Sequence, residues 1–418
     1  MKFYLLILML STVWSCASQI PENTTINSNS NSNSGINFNA PAVLNSETIS
    51  TKNNSIKKEL MDSTQLDSEK SLERNVKFNT EKKEKTKITS DSNNKSSASK
   101  ETLNQKVIIS SEFSKTKSQS STQKIQRSPT PQMQQALDEK VEELQEIDPN
   151  SFEYNLFNYS SGNYDVGREK YLKTAELQQP GNVEVQKLSA ANSIVIGDTL
   201  NAKKYLNQLE FKQIIQAETI DYTSDVLKSA EGNSTLITHG FNDSYGAYQN
   251  QFNKNQQTDI DVISLDFMQS QSYRDVLTTK GYDVPVQKEV NVNYLKSFCE
   301  LNADKNIAIS MTLPKEYLVP LQSKLYTCGL IFEYRESLNV QGSARLEDLW
   351  YNQLNKKVLN VYQTSLSNAY AGNYLPMLLY LKNHYKQQND LNNLEKIEMD
   401  IQKVSNKSGK SSSLKKKY

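Results

Sequence analysis

Thr235-Leu236-Ile237-Thr238-His239-Gly240-Phe241-Asn242-Asp243-Ser244-Tyr245 decides the fold, because the hydropathy period changes inside it. Residues 235–239 read as a short strand, Gly240 permits a tight turn, and 245–252 read as the helix that follows. The same alternation continues downstream. Residues 261–267 (DVISLDF) form a second strand with a helix over 272–279 behind it. A helix over 292–301 leads to a third strand at 306–313 (NIAISMTL), a helix over 315–327 and a fourth strand at 330–334 (LIFEY). Strands alternating with helices of this length predict an α/β unit over 217–340 with a small, mainly parallel, Rossmann-like sheet. The third and fourth strands are apolar on both faces, as a covered sheet requires.

On either side of this unit the period is helical. Residues 134–147 (QQALDEKVEELQEI) form a helix that Asp148-Pro149 ends, since a residue before proline avoids the helical region. A helix over 151–160, a break at Gly162-Asn163, a helix over 166–178 and Pro180 follow. Gly167, Tyr171 and Ala175 have counterparts 35 residues later at Ala202, Leu206 and Glu210, with Gly197 at the next turn. Small residues let two helices meet and large ones fill the gap between them. This arrangement resembles the tetratricopeptide repeat, although Glu210 departs from the pattern. A weaker echo appears over 346–404, where Gly372-Asn373-Tyr374 repeats Gly162-Asn163-Tyr164 and Tyr380-Leu381-Lys382 repeats Tyr171-Leu172-Lys173; a plain helical hairpin is the alternative there. The resemblance implies helical repeats at 131–216, a repeat-like C-terminal segment at 341–418, and grooves suited to partner proteins.

The N-terminal third is different. Of 36 aromatic residues, 30 lie in 131–418 and only Phe38, Phe78 and Phe113 in 17–130. A stretch that poor in apolar surface does not offset its chain entropy, so 17–130 is expected to be a disordered tether. As a flexible coil it has a root-mean-square reach of about 60 Å. Val107-Ile108-Ile109 is its one apolar patch, read as a stray triplet rather than a docking point. Ahead of it, Lys2 and the apolar run 3–13 are too short to span a bilayer and have the form of a secretory signal peptide. Val13-Trp14-Ser15-Cys16 resembles a bacterial lipobox, with Trp14 a departure; Cys16 would then carry a lipid. The alternative is cleavage elsewhere and a soluble secreted product. The lipobox implies the cell envelope, and Ala-Ser-Gln after Cys16 favours the outer membrane, facing the periplasm.

The strand–turn–strand at 235–265, together with Tyr317-Leu318 and Gly329-Leu330-Ile331-Phe332-Glu333-Tyr334-Arg335, is similar to the extracytoplasmic tail of a family of large multi-span bacterial membrane proteins of unknown function with glycosyltransferase-like membrane halves. The resemblance covers about 225–404 and implies an α/β unit running into helical repeats. Two features depart from it. His239 and Phe241 replace the first Asn and first Asp of the family's acidic turn, and the chain carries none of the family's membrane-spanning runs.

The candidate site is the turn after the first strand, since open α/β sheets bind ligands at the carboxyl ends of their strands. His239, Gly240, Asn242, Asp243 and, from the second strand, Asp266 are predicted to converge there. The alternatives are that Asn242 or Asp243 only caps the next helix, that the turn holds a polar ligand or partner, or that His239, Asp243 and Asp266 bind a metal. No metal or cofactor is called for: neither a phosphate loop nor a Gly-x-Gly-x-x-Gly occurs, and Ser244 lacks a nucleophile elbow. Lys plus Arg 48 against Asp plus Glu 47 leaves a net charge of +1, which excludes a global field for nucleic acid. Cys299 and Cys328 are read as two buried thiols, with a disulfide the alternative, and Trp350 as core rather than a partner hot spot. Together these readings predict a non-catalytic, lipid-anchored extracytoplasmic scaffold that binds envelope proteins through its helical repeats. The alternative function is recognition of a small polar or glycan ligand at the turn.

Overall fold

The computed structural model describes residues 93–121, 125–336 and 342–411; Cys16, the signal-like segment and most of the predicted tether lie outside the described residues. Helix α1, Asn93–Ser121, corrects the tether boundary at 130. Ile109 and Phe113, one turn apart, form a buried face, and the Phe113 ring stacks on Phe157 with centroids 4.2 Å apart and planes 3° from parallel. A single apolar pair in a polar run is too sparse for composition to register, yet it suffices where a partner helix covers it. The triplet at 107–109 is split, with Ile109 buried and Val107 and Ile108 exposed.

Helix α2 (Pro131–Ile147) starts where Thr130 accepts the Met133 N–H at 3.2 Å and Pro131 takes the first turn. Ser151, Asn182 and Asp198 cap α3 (Phe152–Ser161), α5 (Val183–Val195) and α6 (Thr199–Phe211), with α4 (Glu169–Gln178) between them. Successive helices pack as hairpins, and Gly197, at φ 75°, makes the turn between α5 and α6. Helix α7, Ala217–Ser229, leads into the sheet.

Strand β1 (Thr235–Thr238) is followed by α8 (Gly240–Lys254), β2 (Asp261–Ser264), α9 (Gln271–Thr279), α10 (Val292–Leu301) and β3 (Ile307–Ser310). Then come the short α11 (Lys315–Leu318) and the pair β4 (Leu325–Cys328) and β5 (Ile331–Tyr334). The order is β2-β1-β3-β5-β4. The first three strands are parallel as expected, but β5 runs antiparallel to β3 and to β4, so the sheet is mixed rather than mainly parallel. The error lay at 315–327, where helix ends early and Leu325-Tyr326-Thr327-Cys328 turns back through a two-residue loop. Gly329 leads that loop at φ 59°, as a type II′ hairpin turn requires, and Leu330 completes it. A Cβ at Gly329 would also collide with the Ser229 hydroxyl.

The C-terminal part is helical but more broken than one repeat unit implies: α12 (Gly342–Asp348), a π-turn at Leu349–Gln353, α13 (Lys357–Asn360), α14 (Ser365–Ala371), α15 (Leu375–Gln388) and α16 (Leu391–Lys407). Trp350 is core, its indole N–H donating to Asp400 at 2.7 Å. Buried Asp225 on α7 ties this part down, accepting from the N–H groups of Asn355 (2.8 Å) and Lys356 (2.9 Å) and from the Tyr374 hydroxyl (2.8 Å).

Two cores result. One lies under α1–α4 and the start of α5; the other runs without interruption from Ala190 through the sheet to Val404. The joins predicted at 216/217 and 340/341 are therefore not seams in the packing; the seam falls within α5. Cys299 and Cys328 are separate free thiols in the larger core, and burial pushes both well above the ordinary thiol range. Among the described residues no helix is long and apolar enough to cross a membrane.

Candidate functional site

Strand β1 ends at Thr238, and His239 enters the turn with extended backbone as the first flanking residue of α8. Gly240 takes φ 68°, which sets the helix off at a sharp angle from the strand. Helix α8 then needs acceptors for its first N–H groups. Two carboxylates supply them. Asp266, just beyond β2, accepts the Gly240 N–H, and Asp243 reaches back from the first turn to the His239 N–H at 3.1 Å. Asp243 is buried, and its other oxygen accepts the Ser310 hydroxyl of β3 at 3.1 Å. The capping role expected of Asp243 is thus realised, by reach-back rather than at the position ahead of the helix.

The five predicted residues divide. His239, Gly240 and Asp266 come together on the outer side of the turn. Asp243 faces inward beneath them. Asn242 is exposed and lies toward the Tyr370 hydroxyl instead. Among the described residues no three His, Cys, Asp or Glu side chains are grouped to hold an ion.

A residue outside the prediction completes the cluster. Arg127, 9% exposed, enters from the segment between α1 and α2 and donates from Nη2 to His239 Nδ1 at 2.9 Å. Its Nη1 donates to the Ser121 carbonyl at 3.2 Å, and its Nε lies 3.7 Å from Asp266 Oδ1. With Nδ1 an acceptor, the His239 Nε2 carries the proton and donates to the Thr312 carbonyl at 2.5 Å. Both ring nitrogens are therefore committed. The signal that could have found Arg127 is Arg127-Ser128-Pro129-Thr130-Pro131, since residues ahead of each proline are held extended, the backbone a docked segment needs.

Burial raises the Asp243 carboxyl above the ordinary range, although hydrogen bonds from Thr312, the His239 N–H and Ser310 work against the shift. A folded-state value above the unfolded one means that the folded chain binds more protons in that window, so this contribution falls as pH rises through it. Wild type should therefore gain stability relative to Asp243→Asn as pH drops from 7 toward 4. Chemical denaturation of both proteins at several pH values checks this, and a constant difference would contradict it.

A roomier concavity lies elsewhere. A cleft of ≈ 390 Å³ between α6, α7, the end of α8 and the 355–362 segment is lined by Glu210, Asp221, Asn250, Lys254, Lys357 and Tyr362. Its charges are paired across it, Lys254 with Glu210 at 2.9 Å and Lys357 with Asp221 at 3.1 Å.

With this geometry in hand, comparison with known proteins returns no matching family model, no matching curated sequence and no matching solved structure.

Proposed function

We propose that the chain is a non-catalytic scaffold of the bacterial cell envelope, anchored by a lipid on Cys16 and holding envelope proteins against tetratricopeptide-like hairpins. The observation that carries this reading is the outer face of α6. Leu200 and Phe211 are 79% and 90% exposed, and eleven residues of separation puts them on the same face of the helix. Leu177 on α4 is 85% exposed as well. Each side chain of this size stabilises a complex by about 1.5–3 kcal/mol when a partner covers it. The commitment of both His239 nitrogens to structural hydrogen bonds supports a binding role for the α/β unit over acid–base chemistry.

The test is co-purification from detergent extract of the cells that make the protein, comparing wild type with Leu200→Glu/Phe211→Glu. The expected result is an envelope protein retained by wild type and lost from the double variant, with unchanged circular dichroism. Equal retention by both would end this reading. The anchor is tested separately: labelled palmitate should enter wild type and not Cys16→Ala.

The second reading is a small polar or glycan ligand at the turn after β1, favoured by the exposed Asn242 beside Gly240. Asn242→Ala should then abolish a ligand-induced thermal shift at unchanged stability. Asp243→Ala is not a clean probe, because that carboxylate supports the fold.

A further inference from the structure

The segment carrying Arg127 is held in two ways at once. Its backbone pairs with 290–292: Gln126 and Asn291 form an antiparallel bridge, the Arg127 N–H donates to the Val290 carbonyl at 2.6 Å, and the Val292 N–H donates to the Ile125 carbonyl at 3.2 Å. The Ser128 hydroxyl accepts the Val290 N–H at 2.9 Å. Its side chain fills a pocket made by His239, Asp266 and Tyr317 at the carboxyl edge of the parallel strands. Main-chain pairing for affinity and a side-chain pocket for selectivity are how sheets recognise extended peptides.

The pocket suits a guanidinium. His239 Nδ1 faces Nη2, the Ser121 carbonyl faces Nη1 and the Asp266 carboxylate lies on the Nε side, three separate nitrogens that a guanidinium offers and the single nitrogen of a lysine does not. The fit in cis is nevertheless incomplete. Arg127 Nε makes no hydrogen bond at 3.7 Å from Asp266.

We infer that this groove is a recognition site for extended polypeptide segments bearing an arginine, and that residues 125–130 occupy it in cis until such a segment displaces them. The inference rests on the reading of the chain as a binder of other proteins, but on a different surface from α6, so the two fail independently.

The probe is the peptide acetyl-Gln-Arg-Ser-Pro-amide, with citrulline in place of arginine as the neutral isostere. In the full wild-type chain, excess arginine peptide should speed hydrogen exchange of the Arg127 amide at least about tenfold, since the cis segment acts as a competitor at an effective concentration of order millimolar. The Val292 amide should stay protected, because the incoming peptide takes over that bond. The citrulline peptide should do neither. In Arg127→Ala, which lacks the side-chain competitor, labelled arginine peptide should bind at a concentration about tenfold or more lower than in wild type. Unchanged exchange of the Arg127 amide under saturating peptide, or equal action by the citrulline peptide, overturns the inference whether or not Arg127→Ala folds. Retained Leu200/Phe211-dependent co-purification alongside that failure would leave the scaffold reading standing.

Discussion

Asp225→Ala is expected to destabilise the fold by several kcal/mol, since each buried donor left without an acceptor costs about 1–3 kcal/mol. The reason is local. Asp225 is fully buried and holds three donors, the N–H groups of Asn355 and Lys356 and the hydroxyl of Tyr374, and the loss strands all three. Lys356 stands at φ 53°, a conformation that a non-glycine residue adopts only where its surroundings hold it, and its N–H bond to Asp225 is one such hold. The damage should therefore appear first in 354–374, where hydrogen exchange should accelerate ahead of the sheet. Asp225→Asn keeps one acceptor oxygen but turns an amide N–H₂ toward a donor, so it should recover only part of the loss. A urea titration showing a change below about 1 kcal/mol for the Ala variant would refute the assignment.

Phe113→Ala is the second large effect. Truncating a buried phenylalanine costs about 3–5 kcal/mol. Phe113 and Ile109 are the apolar residues α1 buries in the smaller core, so the loss falls on the attachment of one helix. Because that core is separate from the one around the sheet, α1 should loosen while the sheet stays protected. Limited trypsin digestion should then cut at Lys115 and Lys117 early, leaving 131–411 intact. Simultaneous loss of α1 and sheet protection would mean that the two cores are one cooperative unit.

The parts of the fold written in local periodicity were legible: the parallel strands β1, β2 and β3, the helix at Val292–Leu301, and the breaks at Gly162 and Gly197. Thr130, Ser151, Asn182 and Asp198 stand where helices begin because their oxygens take the first free N–H groups. What escaped was long-range. Nothing local says that Leu325-Tyr326-Thr327-Cys328 leaves its helix to pair with Ile331–Tyr334, because four apolar-rich residues suit either state until the Gly329 turn and the β3 edge decide. Helix α1 escaped because its apolar pair has no meaning until Phe157 is placed beside it. At the candidate site the sequence brought His239, Gly240 and Asp266 to the right place, since strand ends in such sheets converge. It misjudged Asn242, whose direction depends on the start of α8, and it missed Arg127, which lies 112 residues from His239 along the chain.

The way α1 is laid down has a mechanical consequence. It lies lengthwise along α2 and α3, joined by the Phe113–Phe157 stack, the Lys106–Asp148 ion pair and the bonds from Lys117 to the Ser160 carbonyl and Asn163. Tension applied along the helix axis would shear these joints together rather than peel them singly. A body attached in that manner resists a tug from its N-terminal side better than one hung from a loop.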